Sequence, residues 1–260
     1  MSGKQRHPNL VALLTIVRRE VMRILRIWGQ TLVPPAITMT LYFLIFGSLI
    51  GRRIGNMGGF DYMDFIVPGL VMMSIIQNSY GNISSSFFGA KFGRHIEEML
   101  VSPMPNWVIL GGYVSGAVLR GLMVGAIVLC IAMLFTHVRV PHPLIMIATV
   151  LLGATIFSLA GFVNAVYARK FDDIAIVPTF ILTPLTYLGG VFYSVKMLPD
   201  WAQAMTHANP VFYMVNAFRY GLLGTSDVPI AIAFGLMIGF VVILGALGLW
   251  LLKRGIGLRS

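Results

Sequence analysis

Side chains able to do chemistry are few in this 260-residue sequence, and their placement argues against catalysis. Metal, haem and triad sites draw on histidine held inside a site, yet His7, His95, His137, His142 and His207 all fall outside the strongly apolar runs. Neither HExxH nor GxSxG occurs. A P-loop needs a lysine on the phosphates followed by a serine or threonine for magnesium. Here Gln5, Phe92, Phe171, Met197 and Arg254 follow the five lysines. No cofactor or metal is therefore expected on this chain, and any ATP and magnesium it uses must be bound elsewhere. The single cysteine, Cys130, allows no intrachain disulfide and reads as packing material.

What remains is a set of polar residues inside apolar runs. Thr179, Thr183 and Thr186 recur at helical spacing with Tyr187 beside them, near Pro178 and Pro184. Ser74, Asn78 and Asn82 form a second stripe, with Gln77 alongside. Each stripe would either line a translocation pathway or let helices approach closely, as small and hydroxylated residues do in membranes. Arg120 lies deep in an apolar run, too far in for its side chain to reach the surface easily, so it must face protein or water. It would contact an anionic substrate group or pair with carbonyls and amides of neighbouring helices. Gly112 with Gly116, and Gly121 with Gly125, form GxxxG pairs suited to close helix contact.

The elements that must hold these residues follow from composition. The chain is 57% hydrophobic and 11% charged, against about half and a quarter for soluble domains, so its surface must face lipid. A bilayer-crossing helix needs about 20 apolar residues. That window gives six spans, at 31–50, 62–82, 106–135, 143–168, 174–193 and 229–252, hence an all-α polytopic membrane protein. The first apolar span begins late, has no small-residue cleavage site and is followed by more spans, so it is expected to stay in the mature protein. The formal net charge of +10 is scattered between apolar runs, which points to a membrane and not to nucleic acid. Thirteen lysines and arginines fall on one side of the six spans and five on the other, Arg120 being inside one. By the positive-inside bias both termini are cytoplasmic.

Ahead of the first span, residues 10–28 are amphipathic: Leu10, Leu13, Leu14, Val17, Val21, Ile24, Leu25 and Trp28 share one arc. Thr15, Arg18, Arg19, Arg23 and Arg26 share the other. Such a helix lies along a membrane, its arginines toward anionic headgroups or an acidic partner. The connection at 83–105 reads as a short exposed helix stopped by Pro103 and Pro105. Asp172 and Asp173 are placed to cap the fifth span. Residues 194–228 read as an external re-entrant hairpin of two short helices, 199–208 and 211–223, with Trp201, Phe212, Tyr213 and Tyr220 at interfacial depth.

This order of elements, and the runs LVPPAITMTLYFLIFG at 32–47, FIVPGLVMMS at 65–74, SSSFFGAKFGRHIEE at 84–98 and FDDIAIVPTFILTPLTYLGGVFYS at 171–194, resemble the ABC-2 family of permeases. The resemblance implies an export permease of the bacterial inner membrane, a homodimer seated on two separate P-loop ATPase subunits. It implies a basic interface helix at 1–30, a transmembrane domain at 31–252 and a tail at 253–260. The loop around Arg94, His95, Glu97, Glu98 and Leu100 would be the coupling helix, with Arg18, Arg19 and Arg23 beside it. Thr179, Thr183, Thr186, Tyr187, Ser74, Asn78 and Arg120 are the candidate pathway residues. An ion-coupled transporter or channel is the alternative; it would place acidic residues near mid-membrane, and here they all read as lying at the rims or outside the spans.

Overall fold

The computed structural model describes residues 8–136 and 140–257. His7 and His137 lie outside the described residues, as do Lys4, Arg6, Arg139 and Arg259, four of the charges in the two-sided count, and the side chain of Arg52.

Twelve α-helical segments account for most of the described chain. The first, α1 (Pro8–Arg26), is separated from α2 (Trp28–Tyr42) by the single non-helical residue Ile27. From Tyr42 the helix widens into π-turns over Phe43–Ile50 and ends in α3 (Gly51–Ile54). A two-residue hairpin, β1 (Asn56–Met57) and β2 (Phe60–Asp61), follows. Its turn uses Gly58 and Gly59, both at positive φ, as a right-twisted hairpin requires. Next come α4 (Tyr62–Phe92), α5 (His95–Val101), α6 (Asn106–Ala132) and α7 (Pro143–Tyr167). The fifth apolar segment is α8 (Asp173–Val177), π-turns at Pro178–Leu182 and α9 (Thr183–Tyr187). The hairpin helices are α10 (Asp200–His207) and α11 (Pro210–Leu223), and α12 (Ile230–Arg254) closes the bundle.

The molecule is an all-α polytopic membrane protein. Among the described residues four helices are long and apolar enough to cross a bilayer: Trp28–Gly47, Asn106–Ala132, Pro143–Tyr167 and Ile230–Arg254. The apolar helix Asp173–Tyr187 is shorter, and α4, at 31 residues, would extend about 46 Å. Large apolar side chains point outward along the bundle, among them Leu144, Phe180, Val242 and Ile243. In water such a surface would drive aggregation; in lipid it is the expected exterior.

Helix α4 is the hub, packed along both α6 and α7 and buried on most of its circumference. Small residues allow the approach. A Cβ on Gly125 would stand 2.5 Å from Ile75, and one on Gly121 would strike the Ser79 hydroxyl, so this GxxxG pair seats α4 on α6. The other pair seats α1: a Cβ on Gly112 would lie 2.6 Å from Ile16, and one on Gly116 2.5 Å from Glu20.

Several boundaries differ from the hydropathy reading. The third span stops at Ala132, where turns take over and Phe135 folds back to stack on Phe43 at 5.8 Å. The fifth stops at Tyr187, because the chain reverses through Gly189 and Gly190, the latter at φ 73. Asp173 does not cap the fifth span. Its carboxylate accepts from the backbone N–H groups of Arg169, at 2.7 Å, and Lys170, at 3.0 Å, and so fixes the turn before α8. Those two hydrogen bonds hold its pKa below the ordinary carboxylate range. Cys130 is exposed on α6 rather than packed inside.

Candidate functional site

At one end of the bundle, α4 runs out of its packed sheath and turns sharply into α5. The joint is Arg94, at φ 60, the one non-glycine residue at positive φ among the described residues. Ile96 is 1% exposed and anchors α5 to the cluster that contains Phe87, Phe88, Val108 and Phe162. With Ile96 pointing in, Arg94, His95, Glu97 and Glu98 point out, while Leu100 is half-buried against the same cluster. A groove of about 680 Å³ runs beside α5, walled by Phe88, Lys91, Phe92, Arg94, Glu97 and Arg169. Phe171 packs edge-on to Phe88 at 4.9 Å and to Phe92 at 5.3 Å, tying the start of the fifth segment to the end of α4.

Lys91 reinforces that tie. Its ammonium donates to the carbonyls of Val166 and Ala168, each at 2.7 Å, and so satisfies the open C-terminal end of α7. Burial lowers its pKa from the ordinary lysine value; Arg169 adds to the effect and Asp173 opposes it.

A polar network joins α1 to the interior. Ile16, Glu20 and Ile24 are spaced by four and form the face that α1 presents to the bundle, with Glu20 only 1% exposed. The Glu20 carboxylate accepts from Arg23 at 3.0 Å, from Arg19 at 3.4 Å and from the Ser86 hydroxyl at 2.7 Å. Arg19 also donates to the Tyr113 hydroxyl on α6. Arg23 reaches on to the Asn82 side-chain oxygen at 2.7 Å, and Arg120 approaches that same oxygen at 3.4 Å. Two guanidinium groups thus hold one carboxylate where α1, α4 and α6 meet, and a third, that of Arg120, joins Arg23 at the Asn82 oxygen.

The helix-wheel reading of α1 is therefore only partly realised. Leu10, Leu14, Leu25 and Trp28 stay exposed on the apolar arc, as a lipid-facing surface requires, and Arg18 and Arg26 face outward. Arg19 and Arg23 instead turn toward Glu20. Glu20 itself, which the wheel left unassigned, is the anchor.

The threonine stripe does not share one environment. Thr179 is exposed, Thr183 half-buried and Thr186 buried. The Thr183 hydroxyl donates to Pro178 O at 2.9 Å, a carbonyl that also accepts from the Thr183 backbone N–H, and Thr186 donates to Thr183 O at 2.8 Å. Tyr187 shares a hydrogen bond of 2.7 Å with Tyr42 on α2. In the second stripe, Ser74 donates to Leu70 O and Asn78 to Ser74 O, both within α4. Asn82 departs from that pattern, because its side chain meets the arginines.

A model of the ABC-2 type transporter family matches residues 11–223, from α1 to the end of α11. The chain belongs to that family. Over 254 residues it is 56% identical to the inner membrane transport permease YadH of Escherichia coli strain K12, across 98% of this chain and 99% of that protein. Over 216 residues it is 24% identical to nodulation protein J of Sinorhizobium fredii, across 83% and 82% respectively. An ABC-2 protein of this kind is the transmembrane permease of an ABC exporter, and the family implies a partner ATP-binding subunit.

In this ABC-2 permease the hairpin at the other end of the bundle is more deeply set than its aromatic residues indicated. Trp201 is exposed, but Phe212 is fully buried, and α11 packs against α4, α7 and α12. Asn209 starts α11 by accepting from Val211 N–H, and its amide donates to Leu185 O, which docks the hairpin on the fifth segment. Tyr220 stacks on His142 at 4.6 Å. Arg219, within the segment 194–228 read as an external hairpin, is 2% exposed. The signal that would have found it is its position: one charge in the middle of PVFYMVNAFRYGLL, with no polar face around it.

Proposed function

We propose that this chain is one of two identical permease subunits of a bacterial inner-membrane exporter, seated on two separate ATPase subunits that bind ATP and magnesium. Six crossings place both termini, α5 and the groove beside it in the cytoplasm, and the α10–α11 hairpin outside. The observation that supports this most is α5 itself. Its core-facing side is pinned by Ile96, its outward side carries Arg94, His95, Glu97 and Glu98, and it hangs directly from the helix around which the bundle is packed. Closure of an ATPase dimer against α5 would be passed along α4 to α6 and α7, the helices it contacts most. Arg18, exposed on α1, lies on the polar face available to the same partner. The ion-coupled alternative draws little support from the buried carboxylate, because Glu20 is already engaged by two guanidiniums and the Ser86 hydroxyl.

The test is to purify the tagged chain in mild detergent from its native host, identify what accompanies it and measure vanadate-sensitive ATP hydrolysis. A stoichiometric P-loop ATPase whose activity uncouples in Glu97→Ala and Glu98→Ala variants is the expected result. A chain that purifies alone and keeps its function when α5 is altered would overturn the reading.

A further inference from the structure

At the end of the bundle opposite α5, roughly 35 Å away along α4 from Phe88 to Phe65, lies a second cavity, of about 590 Å³. Its wall includes Phe65, Lys196, Arg219, Thr225, Ser226 and Asp227. Arg219 is the residue that calls for a ligand. Its guanidinium carbon sits 4.0 Å above the Phe65 ring centroid, and Nη2 donates to Gly190 O at 2.7 Å. Its Nε is buried with no acceptor. Among the described residues Arg219 forms no ion pair. Asp227, the carboxylate in the wall, pairs instead with Lys196 at 3.5 Å, and its backbone N–H is held by Asn216 at 3.0 Å.

A guanidinium kept from water without a counter-charge is expensive, and an arginine so placed ordinarily meets its anion from the protein or from a ligand. Here Asp227 is near enough to act on Arg219 electrostatically, but its carboxylate pairs with Lys196 and forms no ion pair with the guanidinium. Two cations face one anion around the cavity, so it carries a net positive charge. Phe65 fixes the plane of a donor fork whose geometry matches an oxyanion. The volume falls within the range of small-molecule sites and well above that of a bare ion, so the anion belongs to a larger group. The Arg219 guanidinium, the ammonium of Lys196 and the hydroxyl of Thr225 together offer more donors than a carboxylate would use, and a phosphate has the oxygens to accept them.

We propose that this cavity binds a phosphate ester, with Arg219 as its primary contact and Lys196 as its movable second one. The site goes beyond the coupling to an ATPase and does not depend on it. The ester has two possible sources, the headgroup of an anionic phospholipid and a soluble phosphate-bearing molecule.

The test uses the full chain in an uncharged maltoside detergent, with thermal unfolding followed as sn-glycerol 3-phosphate or phosphatidylglycerol is titrated in. Glycerol and diacylglycerol are the phosphate-free controls. Stabilisation by phosphatidylglycerol alone assigns a lipid headgroup, and stabilisation by glycerol 3-phosphate assigns a soluble ester. In either case Arg219→Gln is expected to weaken the apparent affinity by about tenfold or more, the loss of one charged, bidentate contact. Lys196→Glu, at a residue whose side chain is 78% exposed, removes no buried packing, breaks the pair with Asp227 and is expected to weaken it several-fold. If Arg219→Gln does not fold, Lys196→Glu decides. No stabilisation by either phosphate probe, or stabilisation unchanged in a folded variant, would overturn the proposal.

Discussion

Replacing Glu20 by glutamine keeps the shape of the side chain and removes its charge. The carboxylate is 1% exposed and accepts from Arg19, Arg23 and Ser86, so the amide that replaces it can keep at most one or two of those bonds and none of the charge pairing. A hydrogen bond between charged groups contributes about 1.5–3 kcal/mol. The arginine side chains are 44% and 31% exposed, so water recovers part of that loss. Arg23, which shares the Asn82 oxygen with Arg120, then lacks the carboxylate that balances its charge. The net loss works out at about 2 kcal/mol, which for a domain of this size lowers Tm by about 4–8 °C. Thermal unfolding of the detergent-purified full chain measures it. Arg23→Gln in the same background should cost less than it does alone, by about 1 kcal/mol, because the pair is already broken. A Glu20→Gln protein melting within about 1 °C of the parent, or strictly additive variants, would refute the claim that this carboxylate anchors α1.

Two further outcomes follow from the same geometry. Gly116→Val places a Cβ 2.5 Å from that of Glu20, so α1 must lift off α6; about 1–3 kcal/mol is lost, and protease cleavage within α1 should quicken. Asp173 has a lowered folded-state pKa, so its contribution is present above the ordinary carboxylate range and is lost as the pH falls through that folded value. Asp173→Asn should remove this acid-sensitive component, seen as a flatter dependence of unfolding on pH below about 4.

Hydropathy made the apolar segments legible because lipid imposes one simple requirement on every span, and helix-breaking residues marked most of their ends. It overran at Phe135 and Tyr193, where apolar side chains continue past the last helical turn to pack back on the bundle. The outward face of α5 followed from local charge. Glu20 and Arg219 were not legible in the same way. Each is a charge buried by partners distant in sequence, and a helical wheel weighs only the helix it is drawn on. The trace Glu20 leaves is indirect: it lies four residues from Ile16 and from Ile24, and Gly112 and Gly116 repeat that spacing on α6. The threonine stripe shows the opposite failure, since its regular spacing is broken by the π-turns at Pro178–Leu182, which rotate successive hydroxyls to different sides.

The anchoring of α1 also sets an order of events during synthesis. Helix α1 leaves the ribosome before α4 and α6, yet Glu20 meets Ser86, Arg23 meets Asn82, and Arg19 meets Tyr113, contacts that close loops of 66, 59 and 94 residues. A carboxylate cannot enter the bundle before the groups that neutralise and solvate it have arrived. Until α4 and α6 are in place, α1 must therefore wait at the membrane surface, held by Leu10, Leu14, Leu25 and Trp28. Its docking is a late event for an early-made segment, and a chain truncated before α6 would carry an N-terminal helix still open to proteases and chaperones.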